Sequence, residues 1–170
     1  MVSELTESHP RAASDAEAFE RFYAAERNRL ARACLLLTGS VHDAEDLAQE
    51  ALSRVLERWD EVSRMDSPAG YLYRTAMNVE RKRIRRLAVA ARHVVRGDER
   101  DEAAISDDRL DVLRAVSRLP LQQREALVLV EWLGYSMEEA GSMLGIEAVS
   151  VRGRLHRART SLRRALGDGR

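Results

Sequence analysis

Apolar residues separated by steps of three and four run along the last part of this chain, and this spacing restricts the segment to a helix. The apolar positions are Val151, Leu155, Ala158, Leu162 and Ala165. Such a spacing places all five along one side of an α-helix. Residues 150–166 also contain six arginines, which flank that apolar stripe. We therefore expect one side of this helix to pack on other helices and the other side to meet anionic groups.

Helical spacing recurs through most of the chain, most regularly between Val41 and Trp59. Alternating runs of Val, Ile, Thr and Tyr, which would indicate strands, are absent, and aromatic residues make up only 5% of the chain. Gly39, Gly134 and Gly145 lie where helical segments are expected to end, and Ser40 is expected to cap the helix that follows Gly39. The sequence therefore predicts an all-α protein.

The order of these segments predicts two small helical domains joined by a flexible acidic linker. The predicted parts are a disordered tail at 1–13, a first domain at 14–90, a linker at 91–108 and a second domain at 109–170. Ser14 and Glu17 have the spacing of a capping box and are expected to begin the first helix. The linker is rich in acids and poor in large apolar residues, so it is not expected to pack.

Composition excludes several classes of protein. No apolar stretch approaches the ~20 residues that span a bilayer, and the N-terminus lacks the pattern of a signal peptide, so we expect no membrane association. The single Cys34 has no partner for a disulfide, and the four histidines are scattered rather than spaced as metal ligands. We therefore expect a cytoplasmic protein with no metal and no cofactor.

Charge is concentrated in blocks although the net charge is zero. Residues 71–96 hold eight basic residues and one acid, and residues 149–170 hold seven basic residues and one acid. Acidic stretches separate these two basic blocks. Two concentrated basic patches favour nucleic-acid binding even in a neutral chain.

The second basic block follows the spacing of a helix-turn-helix motif. Ser136 and Glu139 form a predicted capping box, Gly141 lies where two helices cross closely, and Gly145 lies in the turn. Ser150 is expected to cap the second helix, whose N-terminal residues enter the major groove in motifs of this kind. The candidate residues near base edges are Arg152, Gly153, His156 and Arg157, and those near phosphates are Arg154, Arg159 and Ser150.

The first basic block lies on a helix predicted from about 68 to 90, with Ser67 as its cap and Pro68 in its first turn. One line of this helix carries Arg74, Asn78, Arg81 and Arg85, with Lys82 and Arg86 beside it. Asparagine disfavours helices, so Asn78 in this position indicates a hydrogen-bonding role, such as contact with a base edge.

The helix before this block has an opposite, acidic face. Its polar side carries Asp43, Glu45, Asp46, Glu50 and Glu57. This face is expected to meet a basic protein rather than DNA, although a simply solvated face is an open alternative. Neither basic block includes a nucleophile–base pair or a pair of carboxylates in a cleft, so we expect no enzyme.

Three stretches together resemble a bacterial RNA polymerase sigma factor of the extracytoplasmic-function (ECF) type. "DAEDLAQEALSRVLERW" resembles the helix by which sigma domain 2 holds the β′ clamp helices. "SPAGYLYRTAMNVERKRIRR" resembles the segment that captures and opens the promoter −10 element. "LPLQQREALVLVEWLGYSMEEAGSMLGIEAVSVRGRLHRARTSL" resembles sigma domain 4, which reads the −35 element. The resemblance covers residues 15–166.

The resemblance implies a role in promoter-specific transcription initiation with core RNA polymerase, its β flap included, and with duplex and single-stranded promoter DNA. It implies polymerase contacts at Asp43, Asp46, Gln49, Glu50 and Arg54. It implies −10 contacts at Asn78, Arg81, Lys82, Arg85 and Arg86, and −35 contacts at Arg152, Gly153, His156 and Arg157. An anti-sigma factor, which restrains many relatives, is a candidate further partner, and the holoenzyme would associate with the nucleoid.

This sequence departs from the family pattern in several places. Tyr71 stands where the family usually has Trp, and Ala140 and Gly141 stand where Ile and Ala are usual. Val149 replaces a common Gly, and Gly153 replaces a common Ser, which removes a side chain from the predicted recognition helix. We expect these departures to affect promoter preference rather than the fold.

Two other functions remain open at this stage. A free-standing helix-turn-helix regulator would bind duplex DNA alone as a dimer, and it would need a dimerisation face and a ligand pocket. A helical adaptor protein would carry the basic faces incidentally. Binding to core RNA polymerase separates both from a sigma factor.

Overall fold

The computed structural model describes residues 10–91 and 107–167, and within these ranges the secondary structure is entirely helical. The helices are α1 (Pro10–Thr38), α2 (Val41–Glu57), α3 (Trp59–Val62), α4 (Pro68–Ala91), α5 (Asp107–Ser117), α6 (Leu121–Leu127), α7 (Met137–Leu144) and α8 (Ala148–Gly167). A π-helical turn at Val128–Trp132 continues α6. The predicted all-α class is confirmed.

Helices α1, α2 and α4 form the N-terminal bundle, with the short α3 at one end. Leu30, Leu47, Val55 and Leu72 are almost completely buried where the three long helices meet. Trp59 closes that end of the core, with its ring centroid 5.0 Å from that of Phe22. Because apolar residues of each helix occupy one face, the polar faces of α2 and α4 remain on the surface.

Local capping follows the sequence at two of three predicted places in this bundle. The Ser40 hydroxyl accepts a hydrogen bond from the Asp43 amide at 3.3 Å, and the Ser67 hydroxyl accepts one from the Gly70 amide at 3.0 Å. The capping box predicted at Ser14 and Glu17 is wrong, because α1 already begins at Pro10. Proline suits a first helical turn, since it has no amide hydrogen to leave unpaired.

Two predicted segments fall largely outside the described residues. Residues 1–9 of the predicted tail (1–13) and residues 92–106 of the predicted linker (91–108) lie there. The end of α4 does not pack on its neighbours, because Leu87, which continues the apolar stripe of this helix, is 55% exposed. The part of α4 that packs on α2 therefore ends about one turn before the apolar pattern does.

Helices α5 to α8 form the C-terminal bundle, in which α8 packs against α5, α6 and α7. Val151, Leu155 and Ala158 are buried, as the apolar stripe predicts. Leu162 is half-buried and Ala165 is exposed, so the last turns of α8 project beyond the core. The apolar side of α8 is thus covered by the other helices of the C-terminal bundle over the first three turns of α8.

The two bundles also pack against each other. Helix α1 contacts α5, α6 and the π-helical turn, and α4 contacts α7. Leu30 and Leu37 of the first bundle belong to the same apolar cluster as Val128 and Leu129 of the second. The sequence predicts two domains on a tether, and the structure adds a direct interface between them.

Candidate polymerase and nucleic-acid interfaces

Helices α7 and α8 form the helix-turn-helix that the sequence predicts. The Ser136 hydroxyl accepts a hydrogen bond from the Glu139 amide at 3.1 Å, and the Glu139 carboxylate accepts one from the Ser136 amide at 2.7 Å. Gly145 ends α7 in the left-handed conformation, with φ of 69°. The predicted capping box and the glycine turn are both confirmed.

Gly141 is required by the tight passage from α7 into the turn. A methyl group at this position would lie 2.7 Å from the carbonyl oxygen of Ile146 and 3.3 Å from the amide nitrogen of Ala148. The backbone of the turn therefore passes directly over Gly141, which fixes the angle between the two helices. Any larger residue here would have to displace that backbone.

The outer side of α8 carries the predicted −35 contacts. Arg152, His156 and Arg157 are exposed near the helix N-terminus, whereas Gly153 and Arg154 are half-buried. A methyl group at Gly153 would lie 3.7 Å from the Arg157 guanidinium, an ordinary contact, so this glycine is not required by packing. The exposed side of the helix thus presents its positive charge in its first three turns.

Two of the predicted −35 residues have local contacts that the sequence did not indicate. Helix α8 begins at Ala148, and the Ser150 amide already donates to the Glu147 carbonyl at 2.9 Å, so Ser150 lies in the first turn and is not the cap. Arg159 forms an exposed ion pair with Glu131 of the π-helical turn. Its charge is therefore partly neutralised within the C-terminal bundle.

A groove between α2 and α4 collects several residues of the predicted −10 segment. Asn78 and Lys82 of α4 face Glu50 and Arg54 of α2 across a space of about 630 Å3. Tyr71 and Arg58 lie at one end of the groove, with Thr75 between Tyr71 and Asn78. The groove brings together an aromatic ring, an amide and cationic groups, which are the chemical features that hold an unpaired base.

The basic line predicted on α4 is divided between two environments. Arg74 lies beside Tyr135 and Glu139 in a cleft of about 520 Å3 between the bundles. The Nε and Nη2 atoms of Arg81 donate hydrogen bonds to the Glu125 carboxylate at 2.5 and 2.8 Å. Both side chains therefore face the C-terminal bundle.

The remaining basic residues of this helix are on its surface. Arg85 and Arg86 are exposed beyond the interface between the bundles, and Lys82 is exposed at the groove. The four residues of the line on α4 therefore do not form one continuous exposed surface. Because the C-terminal bundle packs on one flank of α4, only the other flank and the end of the helix remain open.

The acidic face of α2 is largely open. Asp46, Gln49 and Glu50 are exposed, and Glu50 accepts a hydrogen bond from Arg54 at 2.6 Å. Asp43 differs from these three, because its half-buried carboxylate forms an ion pair with Arg83 of α4. Four of the five predicted polymerase contacts therefore share one face, and Asp43 helps to join α2 to α4.

Sequence reasoning missed the buried charges between the bundles. Glu125 is fully buried and Glu80 is 4% exposed, whereas most charged residues in folded proteins are at the surface. Glu125 stands in an apolar stripe with Leu121, Val128 and Leu129, at steps of four, three and one. A lone charge within an apolar stripe was the signal available in the sequence.

Burial raises the pKa of two groups near this interface. Burial raises the pKa of Glu80, although the nearby Arg83 and Arg124 oppose the change. Burial also raises the pKa of Tyr73, whose hydroxyl donates a hydrogen bond to Glu26 at 2.6 Å. Tyr73 therefore stays protonated and joins α4 to α1 as a hydrogen-bond donor.

The described ranges contain neither a metal-type cluster nor a helix that could span a membrane. Among residues 10–91 and 107–167, no three His, Cys, Asp or Glu side chains are grouped as metal ligands. No helix in these ranges has the length and apolar character needed to cross a bilayer. The candidate binding features of the described ranges are therefore the acidic face of α2, the basic face of α8 and the groove between α2 and α4.

Comparison with family models places both bundles in one class of protein. The model for Sigma-70 region 2 matches residues 22–90, and the model for Sigma-70, region 4 matches residues 109–162. The first range contains α2 and α4, and the second contains the helix-turn-helix. The two bundles therefore correspond to two regions of a sigma-70 transcription initiation factor.

Individual relatives narrow this class. The ECF RNA polymerase sigma factor SigM of Mycobacterium tuberculosis is 32% identical over 171 residues, which cover 97% of this chain and 84% of SigM. SigE of Mycolicibacterium smegmatis is 36% identical over 146 residues, which cover 80% of this chain and 56% of SigE.

A solved structure confirms the fold. The sigma factor RpoE of Bartonella quintana, determined in complex with the anti-sigma factor NepR, superimposes with a TM-score of 0.77. The match covers 91% of this chain and 99% of that one, at 23% identity.

This chain belongs to the ECF RNA polymerase sigma factors. It therefore binds core RNA polymerase and promoter DNA, and it directs promoter-specific transcription initiation. The alternatives of a free-standing regulator and of an adaptor protein are set aside by this membership.

Proposed function

We propose that three surfaces divide the work of initiation: α8 reads the −35 element, the groove between α2 and α4 holds −10 bases, and the acidic face of α2 binds core polymerase. The observation that carries this proposal is the two-sided character of α8. Val151, Leu155 and Ala158 are buried in the bundle while Arg152 and Arg157 remain open near the helix N-terminus. That arrangement leaves the charged side free to enter a major groove.

Arg152, His156 and Arg157 are the side chains we assign to base edges in the −35 element. Arginine recognises guanine through two hydrogen bonds, so these positions carry sequence preference. Arg154 and Arg159 are assigned to phosphates, which position the helix without reading the sequence. Arg159 reaches Glu131 through its Nη2 atom, so its other donors are available to a phosphate.

The groove between α2 and α4 is assigned to unpaired bases of the −10 element. Asn78 has a donor and an acceptor for a base edge, and Tyr71 has a ring for stacking. Lys82, Arg85 and Arg86 lie further along α4 and are exposed, so they are placed to meet the phosphates of the same strand.

Asp46, Gln49 and Glu50 are assigned to the β′ clamp helices of core polymerase, with Arg54 holding Glu50 in position. The Glu50–Arg54 pair is half-exposed, so its role is to orient the carboxylate rather than to stabilise the fold. The β flap is assigned to the C-terminal bundle. Asp43 is omitted from this face because Arg83 already binds its carboxylate.

The chain is proposed to act in the cytoplasm, where polymerase and DNA are found, and to carry out no reaction of its own. Polymerase supplies the active centre, and the two bundles supply recognition. An anti-sigma factor is a candidate partner, because the structurally similar RpoE was determined with one bound.

Run-off transcription with purified core polymerase tests the −35 assignment. Arg152→Ala and Arg157→Ala should each reduce transcription from promoters with a −35 element by about tenfold, the loss expected for one bidentate base contact. Arg164→Ala, an exposed arginine further along α8, is the matched control and should behave like wild type. Loss of polymerase binding in the first two variants would contradict the division between the surfaces.

A pre-opened template tests the −10 assignment. If Asn78 assists strand opening, Asn78→Ala should reduce transcription from duplex promoters and lose most of this effect on a template already unpaired around −10. An equal loss on both templates would instead assign Asn78 to base reading after opening. No loss on either template would remove Asn78 from the site.

A further inference from the structure

An apolar side chain stands on the charged side of α8. Val149 is 62% exposed, more than any other large apolar residue in the ranges that the structure describes. It lies in the first turn of α8, on the side opposite Val151, Leu155 and Ala158, which are buried. Packing within the C-terminal bundle therefore does not account for this valine.

Val149 shares a face of α8 with residues of the predicted −35 interface. Arg152, Gly153 and His156 follow it at steps of three, four and seven residues. These steps bring positions of an α-helix onto one face. Helical side chains lean towards the N-terminus of their helix, so the methyl groups of Val149 lie at the N-terminal end of that face. This is the end of a recognition helix that enters the major groove.

The Arg157 guanidinium reaches back along the same helix towards Val149. A methyl group on Gly153 would lie 3.7 Å from the Nη1 atom of Arg157 and 3.8 Å from its Nη2 atom, so both nitrogens lie over Gly153. Gly153 is four residues from Val149, which corresponds to about 6 Å along the helix axis. An arginine that can read guanine and an apolar side chain are therefore near enough to contact bases of one element.

The chemistry of a valine side chain selects one kind of base edge. In the major groove, guanine, cytosine and adenine present hydrogen-bonding groups, whereas thymine also presents a methyl group at C5. Valine has neither a donor nor an acceptor, so against the first three bases it would cover polar groups without pairing them, which is unfavourable. Against thymine it would bury apolar surface on both sides, which is favourable.

We propose that Val149 is a specificity-determining residue of the −35 interface and that it contacts the C5-methyl group of a thymine in the major groove. The inference rests on the proposed function of α8 and deepens it. It adds an apolar contact to the hydrogen bonds assigned to Arg152, His156 and Arg157. Val149 thereby favours thymine at one position of the element, beside the bases that the arginines read.

Selection of promoters by the holoenzyme tests the preference for thymine. Core RNA polymerase is combined with the wild-type or the Val149→Ala chain, and each holoenzyme selects from a pool of duplex promoters randomised throughout the −35 region. Wild type should select thymine at one position, and Val149→Ala should lose this preference while the preferences at other positions persist. Alanine favours a helix more than valine does, so the variant should keep α8 intact.

Replacement of thymine by uracil tests the methyl contact itself, because the two bases differ only in that group. In the promoter selected by wild type, deoxyuridine at this position should weaken binding of the labelled duplex to the wild-type holoenzyme by about fourfold, the factor that corresponds to one buried methyl group. The Val149→Ala holoenzyme should bind the two duplexes nearly alike. Val89→Ala is the matched control, since Val89 is a 61% exposed valine near the end of α4, and it should retain the difference between thymine and uracil.

Several results would overturn the proposal. The wild-type holoenzyme could select an element without thymine, or bind thymine and uracil duplexes equally at every thymine of the selected element. An effect of uracil that persists in Val149→Ala would assign the methyl contact to another residue. Tighter binding of all promoters by Val149→Ala, to the same degree, would show that Val149 obstructs the approach to DNA instead of reading it.

Arg157→Ala distinguishes failure of this proposal from failure of the proposed function. If Arg157→Ala weakens binding to the selected promoter while the uracil substitution does not, α8 reads the element and only the Val149 contact is wrong. If neither change weakens binding, α8 is not the helix that reads the −35 element.

Discussion

The guanidinium carbon of Arg58 lies 5.9 Å from the centroid of the Tyr71 ring, and its Nη1 atom donates a hydrogen bond to the Tyr71 hydroxyl at 3.1 Å. Arg58 is itself held by Glu61 at 2.5 Å. The ring at the end of the groove, which is partly buried against the core, is thus also held by a charged neighbour. The Tyr71 hydroxyl accepts this hydrogen bond from Arg58. A tryptophan in its place would offer no hydroxyl oxygen to Arg58.

Enlarging the ring should strengthen base stacking at the −10 element. We expect Tyr71→Trp to increase the rate of open-complex formation severalfold, and Tyr71→Ala to reduce it by about fivefold or more, since stacking of a base on an aromatic side chain contributes ~1–3 kcal/mol. Permanganate reactivity of unpaired thymines over time measures this rate. Tyr71→Phe separates the ring from the hydroxyl and should retain most of the wild-type rate. A rate that is unchanged in Tyr71→Ala would show that this ring does not contact the bases.

Reversing one charge on α2 should weaken polymerase binding. Asp46 is exposed, and its carboxylate lies 3.6 Å from the Nε2 atom of the exposed His42, so the substitution leaves the core unchanged. We expect Asp46→Arg to lower the affinity for core polymerase by at least tenfold, because a like charge would then face a basic partner. Fluorescence anisotropy of labelled chain with core polymerase measures the affinity.

Glu20→Arg is the matched control for this charge reversal. Glu20 is an exposed acid on α1, outside the acidic face of α2 and outside the C-terminal bundle. It should change the net charge equally without affecting polymerase binding. Equal losses in the two variants would indicate a general effect of charge and would dismiss the assignment of α2.

Filling the glycine of the recognition helix should stabilise the fold. Gly153 lies within α8, and a methyl group there would make only an ordinary 3.7 Å contact with Arg157. We expect Gly153→Ala to raise the free energy of unfolding by about 0.5–1 kcal/mol, because alanine favours the helix more than glycine does. Urea unfolding followed by circular dichroism measures this change.

Gly141→Ala provides the opposite case on α7. The added methyl group would meet the turn backbone at 2.7 Å, so this variant should be destabilised even though alanine is the better helix former. If both substitutions stabilised the protein, the close approach at Gly141 would be wrong. If both destabilised it, Gly153 would have a packing role that its surroundings do not show.

The fold was largely predictable because its determinants are local. Apolar spacing located the long helices, and the caps at Ser40, Ser67 and Ser136 formed as their spacing indicated. Helix propensity and capping act within a few residues of the chain, so a single sequence contains their signal. The start of α1 was the exception, since Pro10 begins a helix four residues before the predicted cap.

The exposed surfaces of the helices were less predictable than the helices themselves, because the residues that cover or pair with them are distant in sequence. Periodicity placed Arg74, Asn78, Arg81 and Arg85 on one line, but it carries no information about what packs on either flank. Arg81 meets Glu125, 44 positions along the chain, and Asp43 meets Arg83. Pairing between charges on separate helices depends on how the helices pack, which the spacing within each helix does not specify.

The buried Glu80 makes stability depend on pH in a way that a surface carboxylate would not. Burial raises the pKa of Glu80 in the folded protein, so the folded state binds a proton more readily than the unfolded state does. The ionised form therefore costs stability at neutral pH, and this cost disappears as the pH falls below the ordinary pKa of glutamate. Glu80→Gln, which is neutral at every pH, should be more stable than wild type at pH 7.5.

The difference between the two proteins should shrink as the pH is lowered towards the ordinary pKa of glutamate, because burial raises the pKa of Glu80 and the folded wild type then takes up a proton at this group. Urea unfolding at several pH values measures this difference, and Glu138→Gln, at an exposed acid on α7, should show no such trend. A Glu80→Gln variant that is less stable than wild type at pH 7.5 would mean that attraction to Arg83 outweighs the cost of burial. In that case the difference in stability should still shrink as the pH falls, because protonation of Glu80 would remove its ion pair with Arg83 from the wild type.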